Sequence, residues 1–175
     1  PEEWDVVRGF ESLAAQSQSL VLLLDDLQDP GNMGTILRSA IWFGVDAVLC
    51  TPGCADPWNS KVVRSLAGAL GVISTGQVPY EWVESIPESH VLCGLDMAKE
   101  AIPLHSVDWP SHTILAIGNE GNGLSDTTRR ALEKQIHIPP ARGSKPAEPT
   151  HTPGVESLNA AIATAIALYG YRQKP

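Results

Sequence analysis

Apolar positions along the chain fall into two alternating rhythms, short solid runs and longer stretches with a helical spacing. Leu20–Leu24 is a continuous apolar run that reads as a strand, stopped at Asp25-Asp26. A segment rich in turn formers, Gln28-Asp29-Pro30-Gly31-Asn32, then opens a helix with Ile36, Leu37, Ala40 and Ile41 on one face, closed by Gly44. Val45–Cys50 reads as a second strand, broken by Pro52-Gly53, and Ser60–Leu70 as a second helix. Val72–Thr75, Val91–Leu95, Thr113–Ile117 and Gln135–Ile138 supply four further strands. Helices are predicted at Glu81–Ile86, from a cap at Ser125 or Asp126 to about Lys134, and from Val155 to Tyr171. Residues 1–18, with Trp4, Val7, Phe10 and Leu13 loosely periodic, predict a short helix or linker ahead of one domain over 19–175.

Strands alternating with helices predict an α/β fold, a mostly parallel sheet covered by helices on both faces. One segment breaks the rhythm. Pro139–Gly154 holds five prolines and two glycines without apolar periodicity, and is expected to be a mobile loop.

With 175 residues, 43% of them apolar, the chain is long enough for one sizeable core. No apolar run is long enough to be a membrane span. The three cysteines cannot all pair, and no second cluster matches the spacing of Cys50 and Cys54, so neither a disulfide framework nor a zinc site is expected. The net charge of −8 argues against a domain that grips nucleic acid by bulk electrostatics.

Open parallel sheets bind ligands at the carboxyl ends of their strands, and three polar or glycine-rich segments fall there. Gly118, Gly121 and Gly123 follow the fifth strand but lack the G-x-G-x-x-G order of a dinucleotide site, and no G-K-[ST] of a P-loop occurs. A nicotinamide-dependent oxidoreductase is further disfavoured by Cys50-Thr51, which ends the second strand where a ribose-binding acid is expected. Individually, Arg38 reads as a solvated charge and Ser157 and Asn159 as helix caps.

Together, the segments Asp29–Ala40, Ile117–Leu124 and Val155–Asn159 resemble, in this order, motifs 1, 2 and 3 of the SpoU/TrmH family of SPOUT-class RNA 2′-O-ribose methyltransferases. The resemblance runs from about Leu20 to Tyr171 and is closest to the mitochondrial branch that methylates guanosine in large-subunit ribosomal RNA. It implies a C-terminal trefoil knot, a homodimer, S-adenosyl-L-methionine as cofactor, an RNA substrate and a mitochondrial location, with no metal and no membrane. It further implies that Gly118, Ile138 and Leu158 contact the cofactor, and that Asn32, Arg38, Glu120, Ser157 and Asn159 shape the reaction site. The Pro-rich stretch departs from the family by its length. Relatives often carry an N-terminal RNA-binding domain, and the opening Pro1-Glu2-Glu3-Trp4 fits a chain with such a domain upstream. The resemblance also allows two other readings: a tRNA target for the same chemistry, or a non-catalytic RNA-binding scaffold. The complete set of motif residues argues against the scaffold.

Overall fold

The computed structural model describes residues 4–66, 69, 71–98, 100–140 and 157–173. Seven strands form one parallel sheet: β1 (Ser19–Leu24), β2 (Ala47–Cys50), β3 (Ser74–Gln77), β4 (Val91–Leu95), β5 (Ile102–Pro103), β6 (His112–Ile117) and β7 (Lys134–His137). Their order is β3-β2-β1-β6-β4-β7-β5. β1 sits between β2 and β6, and all six of its residues are buried, which explains its unbroken apolar run.

Among the described residues six α-helices cover the sheet: α1 (Val6–Ala14), α2 (Pro30–Trp42), α3 (Ser60–Ser65), α4 (Tyr80–Val83), α5 (Asp126–Ala131) and α6 (Ala160–Arg172). One core joins Leu20, Leu22 and Leu24 to Ile36, Leu37 and Ala40 of α2 and to Ala167, Leu168 and Tyr171 of α6. The opposite core joins Val21 and Leu23 to Phe10 and Leu13 of α1, Val83 of α4, and Ala131 at the end of α5. The chain leaving β1 therefore turns to one face and the chain leaving β6 to the other. At the carboxyl edge between these two strands the connections diverge, which in such sheets is where a ligand crevice lies.

Several boundaries differ from the sequence reading. The third strand is Ser74–Gln77 rather than Val72–Thr75, and Val72 is exposed; pairing with β2, not hydrophobicity, selects this polar edge. The helix expected over Ser60–Leu70 ends at Ser65, with Leu66 as its C-cap, and the one expected at Glu81–Ile86 is the short turn Tyr80–Val83 behind Pro79. Lys134 begins β7 instead of closing α5, and the two-residue edge strand β5 carried no pattern to read. The last helix starts only after Asn159, whose side chain accepts hydrogen bonds from the Ala161 and Ile162 amides. The mobile loop expected over Pro139–Gly154 falls mostly on residues 141–156, outside the described residues, as does the path on which a knot depends.

Candidate active site

The crevice is built where β1 and β6 end side by side. Leu24 pairs with Ile117, and the Asp25 amide donates to the Ile117 carbonyl at 2.8 Å, so Asp25 and Gly118 leave the sheet as neighbours. Asp26 takes a left-handed φ of 54°, which an aspartate tolerates better than most residues, and turns the chain toward α2. Asp29 then caps α2 by accepting from the Asn32 amide at 2.7 Å, with Pro30 in the first turn.

From Gly118 the chain doubles back. Asn119 and Gly123 exchange two backbone hydrogen bonds of 2.9 Å, making residues 119–123 a tight hairpin with Glu120 near its tip. The hairpin folds so closely over Gly118 that a Cβ there would lie 2.2 Å from the Gly123 carbonyl carbon. Only glycine fits, and this backbone-on-backbone contact gives the first motif 2 glycine its physical reason. Gly123 has φ +69°, and the Arg129 guanidinium packs beside it.

Three predicted residues meet here across long sequence separations. The Asn32 amide nitrogen donates to Glu120 at 2.5 Å, and the Asn159 amide nitrogen donates to the Asn32 oxygen at 2.9 Å. Because a carboxylate only accepts, it fixes the direction of the whole relay. Asn32 must offer its NH2 to Glu120 and its oxygen to Asn159, whose own oxygen is held by the α6 amides. Motifs 1, 2 and 3 are thus linked side chain to side chain. Glu120 holds a neutral amide.

The other predicted residues surround this relay without joining it. Arg38 is exposed on α2, with no hydrogen-bond or ion-pair partner among the described residues, and shares an outer stripe with Thr35 and Trp42. Ser157 and Leu158 are exposed just before Asn159. Ile138 is half-buried at the end of β7, one strand beyond β4, while Gly118 ends β6 on the other side of it. Gly118 and Ile138 therefore flank the end of β4, where Leu95 is half-buried and Met97 exposed. Backbone groups and apolar side chains are thus gathered at the carboxyl ends of β6, β4 and β7.

The sequence reading missed several residues that position the site. Asp25, fully buried, accepts from the Ser125 amide, the Tyr80 hydroxyl and the Thr51 hydroxyl. Asn119 donates to the Asp26 carbonyl at 2.9 Å. Burial of the Tyr80 hydroxyl raises its pKa, with the Asp25 and Asp26 charges adding to the effect. The available sign was an aspartate directly ending a fully apolar strand, a position where a charge must find internal partners. Nearby, the Cys54 thiol donates to the Leu24 carbonyl and accepts from the Leu27 amide, bracketing the same turn. A hydrogen bond with Cys50 lowers the Cys54 pKa and, together with burial, raises that of Cys50.

Residues 19–169 match the profile of the SpoU rRNA Methylase family. The chain is 32% identical over 182 residues to human "rRNA methyltransferase 1, mitochondrial", covering 97% of this chain and 49% of that protein. It is 36% identical over 160 residues to a 23S rRNA (guanosine-2′-O-)-methyltransferase of Xanthomonas campestris, covering 89% of this chain and 59% of that one. This chain thus spans about half the length of such relatives. Among solved structures, the SpoU methyltransferase AviRb of Streptomyces viridochromogenes, crystallised with AdoMet, superposes with a TM-score of 0.76 at 31% identity, covering 99% of this chain and 62% of that one. An AdoMet-bound rRNA methyltransferase of Sinorhizobium meliloti also gives a TM-score of 0.76, at 26% identity, covering 90% and 57%.

Proposed function

The chain belongs to the SpoU rRNA methylase family, and from that premise we propose that it methylates a ribose 2′-hydroxyl of RNA using S-adenosylmethionine. The observation that carries the proposal is the Glu120–Asn32–Asn159 relay. It joins three separate segments at the switch point of a parallel sheet, beside a slot walled by backbone. A packed core has no need of such a polar junction.

The cofactor fits the residues present. Gly118 lets the motif 2 hairpin close over its own backbone, and Ile138 and Leu158 would add apolar edges for the adenine. S-adenosylmethionine, when bound, supplies a methyl group already activated on a sulfonium. The chain's own residues must align the hydroxyl and help it lose a proton. Arg38 cannot be the literal base, because a guanidinium stays protonated. Its exposed position suits a clamp on an adjoining RNA phosphate, with phosphate or water taking the proton. Asn32 holds the junction to which both loops attach, and Ser157 lies at its rim.

The names of the human and Xanthomonas relatives favour a guanosine of large-subunit ribosomal RNA as target, and the human one a mitochondrial location. A homodimer is supported by α6, where Ile162, Ile166 and Tyr169 form an exposed apolar stripe, with Trp42 of the neighbouring α2 84% exposed. The test is ribose-methylation mapping of cellular RNA with and without the protein, alongside transfer of labelled methyl to purified ribosomal RNA. Loss of one 2′-O-methylguanosine is expected. An unchanged map, with no transfer in vitro, would remove the catalytic reading.

A further inference from the structure

We propose that Asp25 is a positioning residue, and that its buried carboxylate sets where the motif 2 hairpin stands and thereby forms the cofactor slot. The inference rests on the methyltransferase reading above and names a residue outside the three motifs.

Asp25 is 0% exposed, yet it is fully satisfied. One oxygen accepts from the Ser125 amide at 2.7 Å; the other accepts from Tyr80 Oη at 3.1 Å and Thr51 Oγ1 at 3.3 Å. These donors come from the exit of the glycine hairpin, the start of α4 and the end of β2. A single carboxylate therefore joins three loops at the carboxyl edge of the sheet.

The hairpin is tied to the Asp25-Asp26 turn at both ends. Its entry is held by Asn119, which donates to the Asp26 carbonyl, and its exit by Ser125, whose amide donates to Asp25. Internally, the paired Asn119 and Gly123 leave it little freedom. Asp26, in its left-handed conformation, turns the chain so that its own carbonyl accepts from Asn119. The Thr51 hydroxyl, which accepts from the Asp26 amide while donating to Asp25, locks the turn. If the carboxylate is lost, the Ser125 amide loses its partner and the hairpin exit is free to shift. Glu120 and Gly118 would move with it, and a displacement of about 1 Å is enough to spoil a binding or reacting geometry.

Asp46 provides the control. It sits at the other end of β1, where its carboxylate accepts from the Leu20 amide at 2.8 Å, remote from the crevice. Asp25→Ala, Asp25→Asn and Asp46→Ala are compared by calorimetric titration with S-adenosylmethionine at a temperature where circular dichroism shows each folded. Asp25→Ala is expected to weaken cofactor affinity about tenfold or more, the effect of one lost charge-assisted hydrogen bond. Asp25→Asn should recover most of it, since its carbonyl still accepts from Ser125 while its NH2 turns to the two hydroxyl oxygens. Asp46→Ala should lower only the melting temperature. If Asp25→Ala does not fold, Ser125→Pro and Ser125→Ala replace it. Ser125 has φ −63°, which proline shares, so only the proline variant removes the N–H while both lose the hydroxyl. Affinity lost in Ser125→Pro and kept in Ser125→Ala supports the inference. Cofactor affinity in folded Asp25→Ala, or in Ser125→Pro, equal to that of the control variants would overturn it. A wild-type chain that binds no S-adenosylmethionine would instead overturn the functional reading on which it rests.

Discussion

Gly118 contributes by lacking a side chain. A methyl group there would meet backbone atoms of Gly123 and Leu124 that cannot rotate away. Gly118→Ala should therefore lower stability by about 2 kcal/mol or more, within the range of overpacked sites, and reduce cofactor affinity along with it. Denaturant melts and calorimetry check both. Arg38 predicts the opposite pattern. It stands outside the relay, on the exposed stripe of α2, so Arg38→Ala should abolish methyl transfer and leave S-adenosylmethionine affinity within about twofold. Equal loss of cofactor binding would place Arg38 in the slot instead.

At the scale of elements, the start of α6 has two tasks that one substitution separates. Asn159 caps the helix with its oxygen and reaches Asn32 with its nitrogen. An aspartate in its place would still cap, and a negative charge suits a helix N-terminus, so Asn159→Asp should melt within about 1 kcal/mol of wild type. The second carboxylate oxygen, however, would face the Asn32 oxygen, and Asn32 cannot flip without turning that oxygen toward Glu120. Methyl transfer should fall steeply while the melt holds; normal activity in this variant would show that the relay is dispensable. A second element-level device lies at the amino edge of the sheet. Ser19 at the start of β1 bonds His90 before β4 and His112 of β6, each at 3.0 Å, and the Phe10 ring of α1 packs edge-on against His90. Burial, with a smaller push from His112, drives the His90 pKa down to about 4. The unfolded chain therefore binds a proton near pH 6.5 that the folded chain refuses. This gives stability that is complete above pH 6.5 and lost as the pH falls toward 4, with a slope of at most about 1.4 kcal/mol per unit. Urea melts at pH 7 and 4.5 should show that drop, and His90→Gln should shrink it.

For the whole molecule, the question is how an acidic domain holds RNA. Lys61 pairs with Asp29, Arg129 with Asp96 and Arg130 with Glu84, and Lys134 donates to the Asp108 carbonyl. Of the cations on α2, α3 and around α5, only Arg38 and Arg64 have no such partner among the described residues. The described cations of these elements should therefore hold ribosomal RNA weakly, contributing a log–log salt slope of about two or less. Fluorescence anisotropy across a salt series tests this, and a steep slope would reveal cationic contacts that the exposed ion pairs release. The apolar stripe of α6 predicts a particle of twice the monomer mass by light scattering, and a monomer at micromolar concentration would contradict it.

What the sequence determined by itself was local and repetitive. The solid apolar run of β1, the Asp29-Pro30 start of α2 and the Gly44 stop are visible because burial period and capping chemistry act within a few residues. The motif residues were legible as a set because their order resembles a family. Their chemistry was not legible: Asn159 reads as a cap and Glu120 as a loop charge until the fold closes 127 residues between Asn32 and Asn159 and 88 between Asn32 and Glu120. Asp25 shows the limit most clearly. Its three donors lie 26, 55 and 100 residues away, and no local pattern encodes such distances. Only the strand order, by setting β6 beside β1 and turning their exits to opposite faces, decides that a buried carboxylate, a glycine hairpin and two asparagines share one crevice.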